Sequence, residues 1–180
     1  MAKLDVIDKE VPILEGVQAS IKDDVLIIKG KKGELKREFS HPYIKMSIEK
    51  DGSIVVHCDK PRRRDLGLVG TWASHANNMM IGVTEGFHYK MRIIFSHFPV
   101  KTSVKGNELV IENFLGERHP RKADILPDVT VKISGDSIVL EGINKEHVGQ
   151  TAANIEKATV VRNYDPRVFQ DGIYLVNRGE

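Results

Sequence analysis

One cysteine, Cys58, is present in 180 residues, so no internal disulfide can form, and this is the cysteine usage of a chain kept in a reducing compartment. Aromatic residues make up 6% of the chain, with a single tryptophan, Trp72. No apolar run approaches the roughly 20 residues that a bilayer-crossing helix needs, and the first ten residues, MAKLDVIDKE, lack the apolar core of a secretory signal. A cytoplasmic protein without a membrane partner is therefore expected. The seven histidines show neither HExxH spacing nor companion cysteines at zinc-finger distances, which argues against a metal site. His57 and Cys58 are neighbours on an expected strand, where adjacent side chains face opposite ways, so they cannot form a nucleophile pair. With no acid-base cluster and no phosphate loop in strand-to-helix context, neither an enzyme, a small-molecule substrate nor a cofactor is expected.

What is present is a sequence written twice. Residues 17–34 align without a gap on residues 100–117, with identities at Val17/Val100, Ser20/Ser103, Lys22/Lys105, Leu26/Leu109, Ile28/Ile111, Gly33/Gly116 and Glu34/Glu117. Background composition supplies about one such match. The likeness resumes at Ser53-Ile54-Val55 against Ser137-Ile138-Val139, then at Val69, Gly70 and Ala73 against Val148, Gly149 and Ala152. Tandem duplication of two small domains, 1–82 and 83–180, follows, with the breakers of GVTEG (82–86) at the boundary.

Each copy reads as strands followed by one helix over a sheet, an α+β layering in which the sheet is mainly antiparallel. Asp23-Asp24, Asp51-Gly52, Gly106-Asn107 and Gly135-Asp136 separate short apolar runs and suit the positive φ angles of tight hairpins. The stretch from Phe87 alternates strictly, setting Phe87, Tyr89, Met91, Ile93 and Phe95 on one face. Helical stripes run from about 62 to 81, through Leu66, Val69, Ala73, Ala76 and Met80, and from about 145 to 158, through Val148, Ala152, Ile155 and Ala158. Trp72 is expected in the core.

The net charge of +2 hides uneven local charge. Lys29, Lys31, Lys32, Lys36 and Arg37 crowd one hairpin, and Lys60, Arg62, Arg63 and Arg64 form a second cluster. Arg162, Arg167 and Arg178 alternate with Tyr164, Phe169 and Tyr174 near the C-terminus, a mixture that serves phosphate pairing and base stacking together. Phe169 and Ile173 are expected to dock while the arginines reach outward. On the second helix, Gln150 and Asn154 share a face, Gly149 and Ala153 permit close approach, and Lys157 extends the surface toward a phosphate, a ribose hydroxyl or a base edge.

Several blocks together carry a family resemblance: GQTAANIEKAT from Gly149, VFQDGIY at 168–174, NNMMIGVTEGF from Asn77, FSHF from Phe95, VIENFLGE from Val110, His41-Pro42, and PRRR from Pro61. The chain resembles, over nearly its whole length, the family of the universal sixth protein of the large ribosomal subunit, in the archaeal-type branch counted as the ninth such protein in eukaryotes. The resemblance implies two tandem α+β domains and a non-catalytic protein that binds large-subunit rRNA near the sarcin-ricin loop and stalk base. Neighbouring ribosomal proteins of the stalk base are then its partners, and translational GTPases dock nearby. It implies a principal rRNA contact through the second domain, at Gly149, Gln150, Asn154, Lys157, Arg162, Arg167 and Tyr174. Lys31, Lys32, Arg62, Arg63 and Arg64 of the first domain would make weaker or partly protein contacts. Bacterial members carry a PEPYKGKG segment where this chain has RNYDPR, so their tail contacts do not transfer residue by residue. Two other readings fit the same architecture. A free-standing ribosome-assembly factor would leave the large subunit in a high-salt sucrose gradient, and a tandem protein-interaction module would keep its partners after ribonuclease treatment.

Overall fold

A computed structural model describes residues 6–49, 52–59, 61–165 and 167–179. Asp51 of one expected turn, Lys60 of the second basic cluster and Pro166 lie outside the described residues. The chain divides into two compact units, Met1–Gly86 and Phe87–Glu180.

The first unit contains β1 (Val6–Pro12), β2 (Gln18–Lys22), β3 (Val25–Gly30), β4 (Gly33–Glu38), β5 (Ile44–Ile48), β6 (Ser53–Asp59) and α1 (Arg63–Thr84). These strands pair as two antiparallel three-stranded sheets, β1-β6-β5 and β2-β3-β4, and α1 packs on β1, β3 and β6. The second unit contains β7 (Phe87–Ile94), β8 (Lys101–Lys105), β9 (Glu108–Glu112), β10 (Arg121–Asp124), β11 (Val129–Ser134), β12 (Ser137–Gly142), α2 (Lys145–Ala158) and β13 (Gly172–Asn177). Its sheets are β10-β9-β8 and β11-β12-β7-β13, and α2 packs on β7, β10, β12 and β13.

The duplication is visible strand by strand. β1-β6-β5 corresponds to β7-β12-β11, and β2-β3-β4 to β8-β9-β10. Aligned side chains hold equivalent places in the two cores: Leu26 and Leu109, Ile28 and Ile111, Ile54 and Ile138, Val69 and Val148, and Ala73 and Ala152 are all buried. The period-two and helical stripes thus have their physical cause in burial against the facing layer. Asp23 and Asp24 take φ of 48° and 60°, and Gly106 and Gly135 take 60° and 56°, as the hairpins between β2 and β3, β8 and β9, and β11 and β12 require.

Three expectations need correction. First, α1 extends past 81 to Thr84 and stops at Gly86, whose φ of 75° ends the helix where a side chain would be strained. Second, β7 buries Phe87, Tyr89, Met91 and Ile93 but ends at Ile94, leaving Phe95 exposed beyond the strand. Third, the expected tail contains a strand. β13 pairs antiparallel with β7, Gly172 opposite Ile94 and Ile173 opposite Ile93, and has no counterpart among the described residues of the first unit. Ile173 is buried as expected, and Phe169 is half-buried between Tyr164 and His97, with ring centroids 4.7 and 5.8 Å away.

His57 and Cys58 do face opposite ways. The thiol is buried and burial raises its pKa, while His57 points outward to Asp8 on the paired strand, Nδ1 to Oδ1 2.5 Å, and to Asp59 at 3.2 Å. The Asp8 hydrogen bond holds the imidazole pKa above its ordinary value. This pair therefore stabilises the β1–β6 pairing fully below the unfolded histidine pKa and loses that contribution as pH rises through the elevated folded value. Amide exchange in β1 should accelerate across that interval beyond the intrinsic pH effect, and His57→Gln should abolish the extra acceleration.

Candidate nucleic-acid interface

In the second unit four cations meet where α2 ends. The helix starts at Asn144, whose side chain accepts the Glu146 N–H at 3.0 Å, and finishes at Thr159. The Thr159 hydroxyl accepts the Ile173 N–H at 3.1 Å, and Glu156 Oε1 accepts the Leu175 N–H at 2.9 Å, so β13 is fastened to the last helical turn. From β10 comes Arg121. Its Nη1 donates to the carbonyls of Ala158 and Val160, both at 2.9 Å, and its Nε and Nη2 donate to the two oxygens of Glu117 at 2.8 and 2.6 Å. The guanidinium also lies 4.4 Å from the Phe114 ring centroid. A cation at the carbonyl end of a helix opposes the dipole and satisfies acceptors that the helix leaves open.

Beside this clamp is an open cleft of about 420 Å³ lined by Arg121, Lys122, Lys157, Ala158 and Arg162. Lys122 is tied to Glu108 at 2.8 Å, whereas Lys157 and Arg162 are exposed and form no ion pair among the described residues. With Arg121 spent on carbonyls and Glu117, Lys157 and Arg162 are the charges available to an incoming anion. Lys157 also borders a second cleft with Val161, Phe169, Gln170 and Tyr174. Cationic walls next to an exposed tyrosine provide both phosphate pairing and an apolar face.

The other expected residues are placed differently. Gln150 donates to Asn154 at 3.0 Å, and Asn154 donates to the Asp124 carbonyl at 3.0 Å, so the asparagine amide already helps fasten α2 to β10. Gly149 is half-buried, and a Cβ there would meet only the edge of the Tyr89 ring, 4.0 Å away. Tyr174 is 45% exposed, and its ring lies over Gly172, where any Cβ would come within 2.8 Å of it. Arg167 is exposed but doubly bonded to Asp165, Nε to Oδ1 3.1 Å and Nη2 to Oδ2 2.9 Å, which depresses the aspartate pKa and raises that of the arginine.

In the first unit the basic residues separate into two places. Lys32 caps α1: its amide donates to the Val83 carbonyl at 2.9 Å and its ammonium to the Glu85 carbonyl, while Gly30 packs so closely on Val83 that a Cβ would meet it at 2.7 Å. Lys31 remains exposed at this tip, and Glu34 partly neutralises the hairpin by bonding Lys29 and Lys36. Arg62, Arg63 and Arg64 sit at the other end of α1, about 30 Å away at 1.5 Å per residue. Arg121 and Lys122 escaped the sequence reading, although ERHPRK at 117–122 is itself a basic cluster. Among the described residues no group of three or more His, Cys, Asp or Glu side chains could hold a metal ion.

The repeat and the α+β layering agree with comparison to known proteins. The sequence profile of the family described as "Ribosomal protein L6" matches twice, over residues 13–86 and 98–172. A relative from Methanosarcina mazei, "Large ribosomal subunit protein uL6", is 50% identical over 172 residues, covering 96% of this chain and 97% of the relative. Two profile matches laid over two structural copies, and half of all residues shared along nearly the full length, place this chain in the ribosomal protein L6 family.

Proposed function

We propose that this protein is a non-catalytic constituent of the large ribosomal subunit in the cytoplasm and binds 23S-type rRNA chiefly through its second unit. The observation that carries the reading is the cleft at the end of α2, where Lys157 and Arg162 have no ion-pair partner among the described residues and flank a helix terminus already neutralised by Arg121. A protein of this kind performs no bond chemistry. It neutralises phosphates and holds RNA segments in one relative geometry, and the clamp at Arg121 supplies the rigidity that positioning needs. The expected location is near the sarcin-ricin loop and stalk base, among neighbouring ribosomal proteins, where the brace keeps the landing area of translational GTPases in shape. Gln150 and Asn154 support the surface from the preceding turns, Tyr174 borders it beside Lys157, and Arg167 adds a charge in the chain between Arg162 and Tyr174.

The test is a salt titration of binding to in vitro transcribed archaeal large-subunit rRNA. Replacing both Lys157 and Arg162 by Ala should weaken binding about tenfold or more. The slope of log affinity against log salt should become shallower by about 0.7 to 0.9 for each phosphate that the variant no longer neutralises. An unchanged affinity and slope would remove these residues from the interface.

A further inference from the structure

A chain of aromatic rings in the first unit runs from the core to the solvent. Phe39 and Trp72 are buried with centroids 5.2 Å apart; His41 stands edge-on to Trp72 at 6.4 Å and 90°; Tyr43 follows at 6.1 Å and 64°. The Tyr43 amide donates to His41 Nδ1 at 3.3 Å, which fixes the histidine ring against the tyrosine backbone. Tyr43 ends the series 58% exposed, a large ring held at the surface by a ladder rooted under α1. It shares an open cleft of about 690 Å³ with His41, Arg62, Arg64 and Asp65. Asp65 does not cancel the two arginines: its Oδ2 accepts the Arg62 backbone N–H at 2.9 Å and its residue is buried, while neither guanidinium has a carboxylate partner among the described residues.

We propose that this cleft is a second RNA site, which takes one extruded nucleotide with its base on Tyr43 and its phosphate between Arg62 and Arg64. The inference rests on the rRNA reading above but assigns a separate place in a separate unit. A base inside a duplex has both faces covered, so an exposed ring selects an unpaired nucleotide in a loop or bulge. Stacking is sequence-tolerant, and the two guanidiniums add the backbone contact that holds the base in register. An acidic peptide would satisfy the arginines but leave the tyrosine face unused, which favours RNA. The ladder also lowers the cost of binding, because Tyr43 is already restrained before the nucleotide arrives.

The experiment compares full-length wild type, Tyr43→Ala, Tyr43→Phe, Arg62→Ala/Arg64→Ala and Lys157→Ala/Arg162→Ala for binding to the same transcribed rRNA. Circular dichroism first checks that the exposed substitutions leave the fold intact. Tyr43→Ala should bind about tenfold more weakly with an unaltered salt slope, and Tyr43→Phe should stay within about twofold of wild type. The double arginine variant should weaken binding and flatten the slope. If Tyr43→Ala binds like wild type while the Lys157/Arg162 variant is impaired, the cleft is not an RNA site and the rRNA reading survives. If neither is impaired, both fail. If Tyr43→Ala keeps RNA affinity but loses a partner that resists ribonuclease, the surface docks a protein and the proposal is overturned.

Discussion

Trp72→Ala should cost the first unit about 3 to 5 kcal/mol of stability. The indole is 8% exposed, packs on Phe39 and supports His41, so its removal opens a cavity between α1 and the β2-β3-β4 sheet and detaches the base of the aromatic ladder. Small domains have only about 5 to 15 kcal/mol in total, so the substitution brings this unit close to its unfolding threshold. Trp72→Phe keeps an apolar ring and should lose much less. Because Trp72 is the single tryptophan, its fluorescence cannot follow the variant, and residue-resolved amide exchange is the suitable measurement. Protection should fall throughout residues 6–86, while Ile111, Leu140 and Ile155 in the second core should keep theirs. Uniform loss across both units would show that they unfold together.

Arg121→Ala should destabilise the second unit by about 3 kcal/mol. The side chain makes two hydrogen bonds to the end of α2 and a bidentate pair with Glu117, and covers the buried Phe114 ring. Hydrogen bonds to charged groups contribute about 1.5 to 3 kcal/mol each. Partial exposure of Glu117 reduces the ion-pair share, so the sum stays well below the simple total. Arg121→Lys should recover little, since an ammonium cannot serve the carboxylate fork and two carbonyls at once. The wild-type pair also has an acid signature. Arg121 holds the Glu117 pKa below its ordinary value. The contribution is therefore complete above the unfolded glutamate pKa and disappears as pH falls through the lower folded value. Urea midpoints measured for wild type and Arg121→Ala should converge on acidification. Parallel curves throughout the acid range would mean that the arginine acts through the helix carbonyls and Phe114 alone.

Much of the fold was legible because it is local. Asp23-Asp24 announces a hairpin by its own backbone preferences, and the Val148, Ala152, Ile155 stripe announces a helix by spacing. β13 was not legible, since GIYLVN has too few residues to declare its period and becomes a strand through the free edge of β7, some eighty residues earlier. The site divides in the same way. Lys157 and Arg162 could be picked out by charge and position, but Arg121 acquires its role from carbonyls 37 and 39 residues away. Lys32 showed the opposite failure: a lysine at a hairpin tip looks available until the end of α1 is found beneath it.

The two copies also differ in how they finish their sheets. In the first, β1 is an edge strand with Asp8, Lys9, Glu10 and Pro12 exposed, residues that discourage a foreign strand from adding on. In the second, the equivalent border of β7 is occupied by β13, so no such deterrent is needed there, while His88, Lys90 and Arg92 face outward. A gene that doubled one scaffold thus met the hazard of a bare flank twice. It answered once with repulsion and once with a cover drawn from its own chain, and the second answer is what brings Tyr174 beside Lys157.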